Sequence, residues 1–287
     1  MSQSIASRLA RGSARQSEGG GRSPLAKVPT ILQHVYIWIW LLIFVMPFLA
    51  TLAYSFEAPN GGYSLEAYDF VKGAFLDNLR YSLELTLMAI VGNLLISIPA
   101  AYAIVRHNVP GKRFILSTLN VSLYAPAAVM GLSLLITYAY LLDFLPLTHS
   151  TWGLLAAYVV GTFPLMLLPI IVALRDLPMV YEEAARTLGA NRLQSLFRIE
   201  LPLLGPGIGA GILMTFVIVF NEFLVTLFIA GPSNQTAALR VYGLTRTAGF
   251  SQSTAAAAAT MQLVSFVVVL VFFKLVGSRY LKGTYFA

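Results

Sequence analysis

The sequence predicts an all-α integral membrane protein with six transmembrane helices and a helical loop between the fourth and fifth, on three observations. First, 57% of the 287 residues are hydrophobic and 11% are charged, where an average soluble domain carries about 25% charge. Second, the apolar residues come in blocks, and about 18 or more of them with few charges can span a bilayer as a helix. Third, Lys and Arg concentrate in alternate loops, the asymmetry that orients membrane proteins.

The blocks cover residues 32–54, 79–105, 115–142, 152–174, 203–230 and 254–276. The first exceeds 20 residues and no small-residue cleavage pattern follows it, so it reads as a retained helix rather than a signal peptide. Pro99 in the second block, Pro126 and Gly131 in the third, Pro164 and Pro169 in the fourth and Gly211 in the fifth are tolerated where neighbouring helices or water satisfy freed backbone groups. Residues 1–29, with Gly19-Gly20-Gly21 and five Lys or Arg, lack the apolar content to fold and read as a flexible basic tail. The expected organisation is the tail over 1–29, a first helix and outer loop over 30–78, a transmembrane core over 79–276 and a tail over 277–287. With no cysteine in the chain, disulfides and thiolate metal sites are excluded.

A net charge of +7 would suggest nucleic acid in a soluble protein, whereas in a membrane protein the placement of the charge matters, and no nucleic-acid partner is expected. If the N-terminal tail is cytoplasmic, that side holds fifteen of the 19 Lys and Arg; the other side holds Lys72, Arg80, Arg240 and Arg246. Both termini are therefore expected in the cytoplasm.

The loop over 175–202 is the longest on that side and carries the most charge. Pro178 suits the first turn of a helix, Glu182 and Arg186 can pair at i,i+4, and Gly189 stands where a C-terminal cap would. Asn191 can cap a second helix, with Gln194 as its reciprocal partner, before Pro202 marks the approach to the fifth span.

Glu183-Ala184-Ala185, then Gly189, Ile199 and Leu201-Pro202 at their spacings, resemble the "EAA" signature of the membrane subunits of bacterial binding-protein-dependent ABC importers. The resemblance covers residues 79–276. It implies a permease without its own ATPase, set in the bacterial inner membrane among lipid. Its partners would be a cytoplasmic ATP-binding-cassette ATPase dimer, a second related permease or a copy of itself, and a periplasmic or lipid-anchored substrate-binding protein. In that reading the chain binds no cofactor, ATP and Mg belong to the partner, and the loop is a coupling lever. Ala184 and Ala185 are small enough for close approach, Gly189 permits the turn, Glu183 supplies a charge or hydrogen bond, and Ile199, Leu201 and Pro202 lead into the fifth span. The bland alternative is an amphipathic surface helix.

The stretch Phe220-Asn221-Glu222-Phe223, with Gly231-Pro232 and Ala238-Leu239-Arg240-Val241-Tyr242 after it, looks like the spermidine/putrescine permease branch. Asn221 replaces the more usual Asp and Ala238 stands where Leu-Pro would begin, which leaves opine-like amines, other cations and small organic solutes open beside polyamines. Glu222 lies eight residues before Ala230, about 12 Å inside the span at helical rise. An ionisable group there faces a pathway or pairs with another helix. Tyr124 and Tyr138, with Tyr140, can line a pathway through cation–π contact, although packing is the commoner use of such residues. Glu84 reads as interfacial.

The chain lacks a G-x-x-x-x-G-K-[ST] phosphate loop, Gly111-Lys112-Arg113 being the nearest string. His34, His107 and His149 are scattered over different spans, so neither catalysis nor a metal is expected of them. A secondary transporter would show inverted repeats, and a membrane enzyme convergent catalytic groups at one depth. Cysteine labelling tests the orientation: residues near Asp69, Asp143 and Thr247 should react from outside, and those near Lys112 and Gly189 only from the cytoplasm. External labelling at Gly189 would overturn it.

Overall fold

A computed structural model describes residues 30–58 and 61–277; the basic tail expected over 1–29 and the C-terminal tail beyond 277 lie outside them. The described residues are helical, apart from turns and one antiparallel bridge between Glu57 and Tyr63. The chain divides into two units, at Ala50/Thr51. Helix α1, Thr30–Ser55, supplies the described residues of the first. It carries Pro47 inside and an edge-to-face pair of Tyr36 and Trp40 at 6.1 Å.

The second unit is organised around three long helices. Helix α2, Leu76–Arg106, has Asp77 in its first turn and Arg106 in its last, each complementing the helix dipole. Its buried residues Leu79, Ser82, Thr86, Asn93, Ser97 and Ile104 recur at helical spacing on one stripe. After α3, Lys112–Ser122, and α4, Ala127–Ile136, helix α5, Thr151–Asp176, starts where the Ser150 hydroxyl accepts the Gly153 N–H. Helix α5 packs along both α2 and α8, Gly205–Phe220, which also touch each other. Before α8 come α6, Val180–Thr187, and α7, Arg192–Ser195; after it come α9, Leu224–Ile229, α10, Ala237–Ala248, and α11, Gln252–Phe272.

Lipid offers apolar side chains no reason to leave it, so close van der Waals approach holds such helices together. Helix α8 begins Gly205-Pro-Gly-Ile-Gly-Ala-Gly211, with Gly207, Gly209 and Gly211 buried. A Cβ on Gly211 would stand 2.6 Å from Met166 Sδ and 3.0 Å from Met166 O, so α5 and α8 meet at backbone distance. Helix α11 likewise buries Ala255, Ala256, Ala257 and Ala259.

Among the described residues, four apolar helices are long enough to cross a bilayer, Leu32–Ser55, Ala67–Arg106, Thr151–Asp176 and Gln252–Leu275. The third and fifth blocks are built differently from the single helices expected. In the third, α3 ends at Ser122 and α4 starts at Ala127, continuing as a π-helical turn Thr137–Leu141. Pro126 cannot donate to the ladder and disfavours helical geometry at Ala125. In the fifth, the helix stops at Phe220 and resumes at Leu224, so the depth of about 12 Å set by helical rise does not apply to Glu222. The 68° bend between Arg192–Leu203 and Gly205–Phe220 separates the loop from the span.

Replacing Gly211 with Val should destabilise the fold by about 1–3 kcal/mol through overpacking. Thermal unfolding of the detergent-purified protein would show it as a lowered midpoint.

Candidate functional site

The loop between α5 and α8 has the helix, glycine turn, helix form read from its caps. Helix α6 ends in a Schellman motif: the Ala190 N–H donates to Ala185 O at 3.0 Å and the Gly189 N–H to Arg186 O at 3.0 Å. The motif requires a left-handed residue at Gly189, whose φ is +90°. Two residues on, Asn191 Oδ1 accepts the Gln194 N–H at 2.8 Å while Gln194 Oε1 accepts the Asn191 N–H at 3.0 Å, closing a capping box on α7.

Two details differ from expectation. Helix α6 starts at Val180, so Pro178 lies just ahead of its first turn. Glu182 does not pair with Arg186: among the described residues the ion pair within 4.0 Å is Lys72 with Asp69. Arg186 is exposed whereas Glu182 is 8% exposed, its carboxylate turned inward to accept the Tyr102 hydroxyl at 3.2 Å.

The signature residues divide between two faces. Glu183, Ala184 and Gly189 are exposed and Ala185 is buried, with the Glu183 carbonyl accepting the Thr187 hydroxyl at 2.9 Å. Ile199 and Leu201 are half-buried and Pro202 is exposed on the short helix Leu201–Leu203. Exposed Val180, Leu188, Leu193 and Phe197 add apolar surface to the outward side.

Beneath the loop lies a polar cluster that sequence reasoning missed. The Tyr102 hydroxyl also points at Glu200 Oε1, 3.5 Å away, and the Ser195 hydroxyl donates to that oxygen at 3.4 Å. Glu200 is 1% exposed. Burial first, and then the neighbouring Glu182 carboxylate, push its carboxyl above the ordinary value of 4.5, against Arg106 and the hydrogen bonds of Tyr102 and Ser195. Arg106 Nη2 donates to Leu177 O at 3.0 Å, tying the end of α2 to the end of α5. The one signal in the sequence was a glutamate in the otherwise apolar run Ile199-Glu200-Leu201.

The transmembrane residues are placed less uniformly. A cavity of about 270 Å³ lies among α4, α5, α8 and α9, lined by Met130, Tyr158, Thr162, Val219, Glu222 and Val225 among others. Glu222 is the charged member of that lining. It sits in the break of the fifth span, where its Oε1 accepts the Val225 N–H at 2.9 Å and so caps α9. Asn221 is outside the lining, its Nδ2 donating to Val217 O at 2.8 Å. Tyr124 is exposed beside the break in the third span. Tyr138 is 4% exposed and gives its hydroxyl to Gly153 O at 3.1 Å, a packing arrangement. Tyr140 and Glu84 are exposed, and His107 and His149 bond Arg192 and Ala230 O respectively.

A bundle of apolar helices, broken beside a cavity and joined by a capped helical corner, is an arrangement suited to a membrane permease. The chain belongs to the family of binding-protein-dependent transport system inner membrane components, whose model matches residues 92–282. It is 25% identical over 238 residues to the Escherichia coli spermidine/putrescine transport system permease protein PotC, covering 82% of this chain and 88% of that one. It is 30% identical over 217 residues to the Haemophilus influenzae molybdenum transport system permease protein ModB, covering 71% and 92%. The fold matches a bacterial ABC transporter involved in import of the acidic polysaccharide alginate, with TM-score 0.63 at 20% identity, over 88% of this chain and 96% of that one. This chain is thus an inner-membrane permease subunit of an ABC importer.

Replacing Gly189 with Val forces a β-branched residue into left-handed geometry. In the reconstituted transporter the substitution should abolish binding-protein-stimulated ATP hydrolysis while membrane insertion persists. Stimulated hydrolysis at the wild-type rate would remove the loop from the coupling route.

Proposed function

We propose that this permease carries a small cationic or amine-bearing solute, and that the observation carrying the reading is Glu222 on the wall of the cavity. Among the described residues, no Lys, Arg or His lines it. A carboxylate in so apolar a setting is costly unless donors or a positive charge compensate. Val225 N–H engages one oxygen, and a carboxylate accepts about four hydrogen bonds, so capacity is left for a passing ammonium. The polyamine named for PotC fits that chemistry. Asn221, in place of the Asp usual in that branch, lowers the negative charge and leaves opine-like amines and other organic cations beside polyamines.

The likeness to ModB favours a second reading, an oxyanion such as molybdate. A lone carboxylate on the wall opposes it, because like charge in a low-dielectric site is strongly repulsive. In the proposed assembly, α6 docks on a separate ATP-binding-cassette ATPase dimer, which hydrolyses Mg-bound ATP. A second related permease completes the pathway, a substrate-binding protein delivers the solute, and both termini lie on the ATPase side.

Glu222→Gln keeps an acceptor for Val225 and removes the charge. Uptake of radiolabelled spermidine or putrescine in reconstituted vesicles should fall by about ten-fold, the factor of one charge-assisted hydrogen bond, with the complex still assembled. Normal uptake by Glu222→Gln, or transport of molybdate instead, would overturn the cation reading.

A further inference from the structure

The signature loop joins α5 through Leu177-Pro178-Met179 and the fifth span through Ile199-Glu200-Leu201-Pro202, so by chain connection alone a tilt of α6 reaches those two spans and not the second. The buried cluster adds a second route. Tyr102 sits in the last turns of α2, and its hydroxyl reaches Glu182 on α6 at 3.2 Å and Glu200 at the foot of the fifth span at 3.5 Å. We propose that Tyr102 is a positioning residue that ties α6 and the foot of the fifth span to the second span, so that movement of the loop is delivered to the second span as well as to the two spans it joins. This rests on the reading of α6 as the coupling element.

The proton arrangement gives the tie a direction. One phenolic hydrogen cannot serve two carboxylates at full strength, and two ionised carboxylates around one hydroxyl repel. A neutral Glu200 removes the conflict: its O–H donates to the Tyr102 oxygen, and Tyr102 donates to Glu182. Burial of Glu200 and the Glu182 charge favour that neutral form. The groups facing it are Glu182 from α6, Tyr102 and Arg106 from α2 and Ser195 from α7, with the Arg192 guanidinium 5.7 Å above the Tyr102 ring. Of these, Arg106 and the hydrogen bonds of Tyr102 and Ser195 oppose neutrality. As pH rises through the raised pKa of Glu200 the chain loses its donor, so the tie is firmest at low pH and weakens as pH rises.

The experiment uses the complete transporter in vesicles and reads ATP hydrolysed per solute carried. Tyr102→Phe removes one hydroxyl and should raise that ratio by about ten-fold, the equivalent of a hydrogen bond to a charged group, with the melting midpoint close to wild type. Glu200→Leu should behave similarly. Glu200→Gln, which mimics the neutral acid, should keep the wild-type ratio and abolish its rise with pH. A wild-type ratio in Tyr102→Phe, or an unchanged pH profile in Glu200→Gln, would overturn the tie. Loss of the Gly189→Val effect would instead overturn the coupling reading beneath it.

Discussion

The structure depends on one constraint: within hydrocarbon no water is available for a free backbone N–H or C=O, so every such group needs a partner from the protein. Helices answer it over most of the chain. Where a span breaks, side chains take over the duty. At the fifth span, Asn221 Nδ2 supplies a donor to the Val217 carbonyl and Glu222 supplies an acceptor to the Val225 N–H. The two polar residues that stand out in the sequence are thus the ones that make the break affordable. The cavity opens at that point, between α4, α5, α8 and α9. A carboxylate can therefore cap a helix and face the opening at once, and the two uses do not compete.

The same constraint governs the contact between α5 and α8. Gly207 and Gly211 let the helices meet at backbone distance, with Pro169 O and Met166 O as the nearest backbone neighbours of a Cβ added at each. Because no apolar driving force survives in lipid, that intimacy substitutes for a hydrophobic core. Polar pairs such as Asn93 Nδ2 donating to Thr162 Oγ1 at 2.8 Å then select which faces meet.

What the sequence made legible was local. Gly189, Asn191 and Gln194 act on neighbours within five residues, so their caps could be read directly and the corner is built as its composition implies. Helix continuity was less legible. Hydropathy registers apolar content and is blind to backbone breaks: Pro99, Pro164 and Pro169 lie inside unbroken helices, while Pro126 stands at a break. The cluster of Tyr102, Glu182 and Glu200 was illegible because its members are 80 and 98 residues apart and only the fold brings them together. Glu182 shows the cost of that blindness, since its helical spacing to Arg186 suggested a surface pair and tertiary contact turned it inward.

The paired caps around Gly189 and Asn191 have a consequence for assembly. A corner whose shape is set by its own backbone bonds has lost its freedom during folding, so a partner need not order it on arrival, where a slack loop would forfeit about 1–2 kcal/mol per residue. Its outward side chains contribute little to that shape, Leu188 being 89% exposed. In the proposed docking, the contact chemistry would then be set by exposed residues such as Leu188 and Val180, separately from the caps that set the shape of the corner.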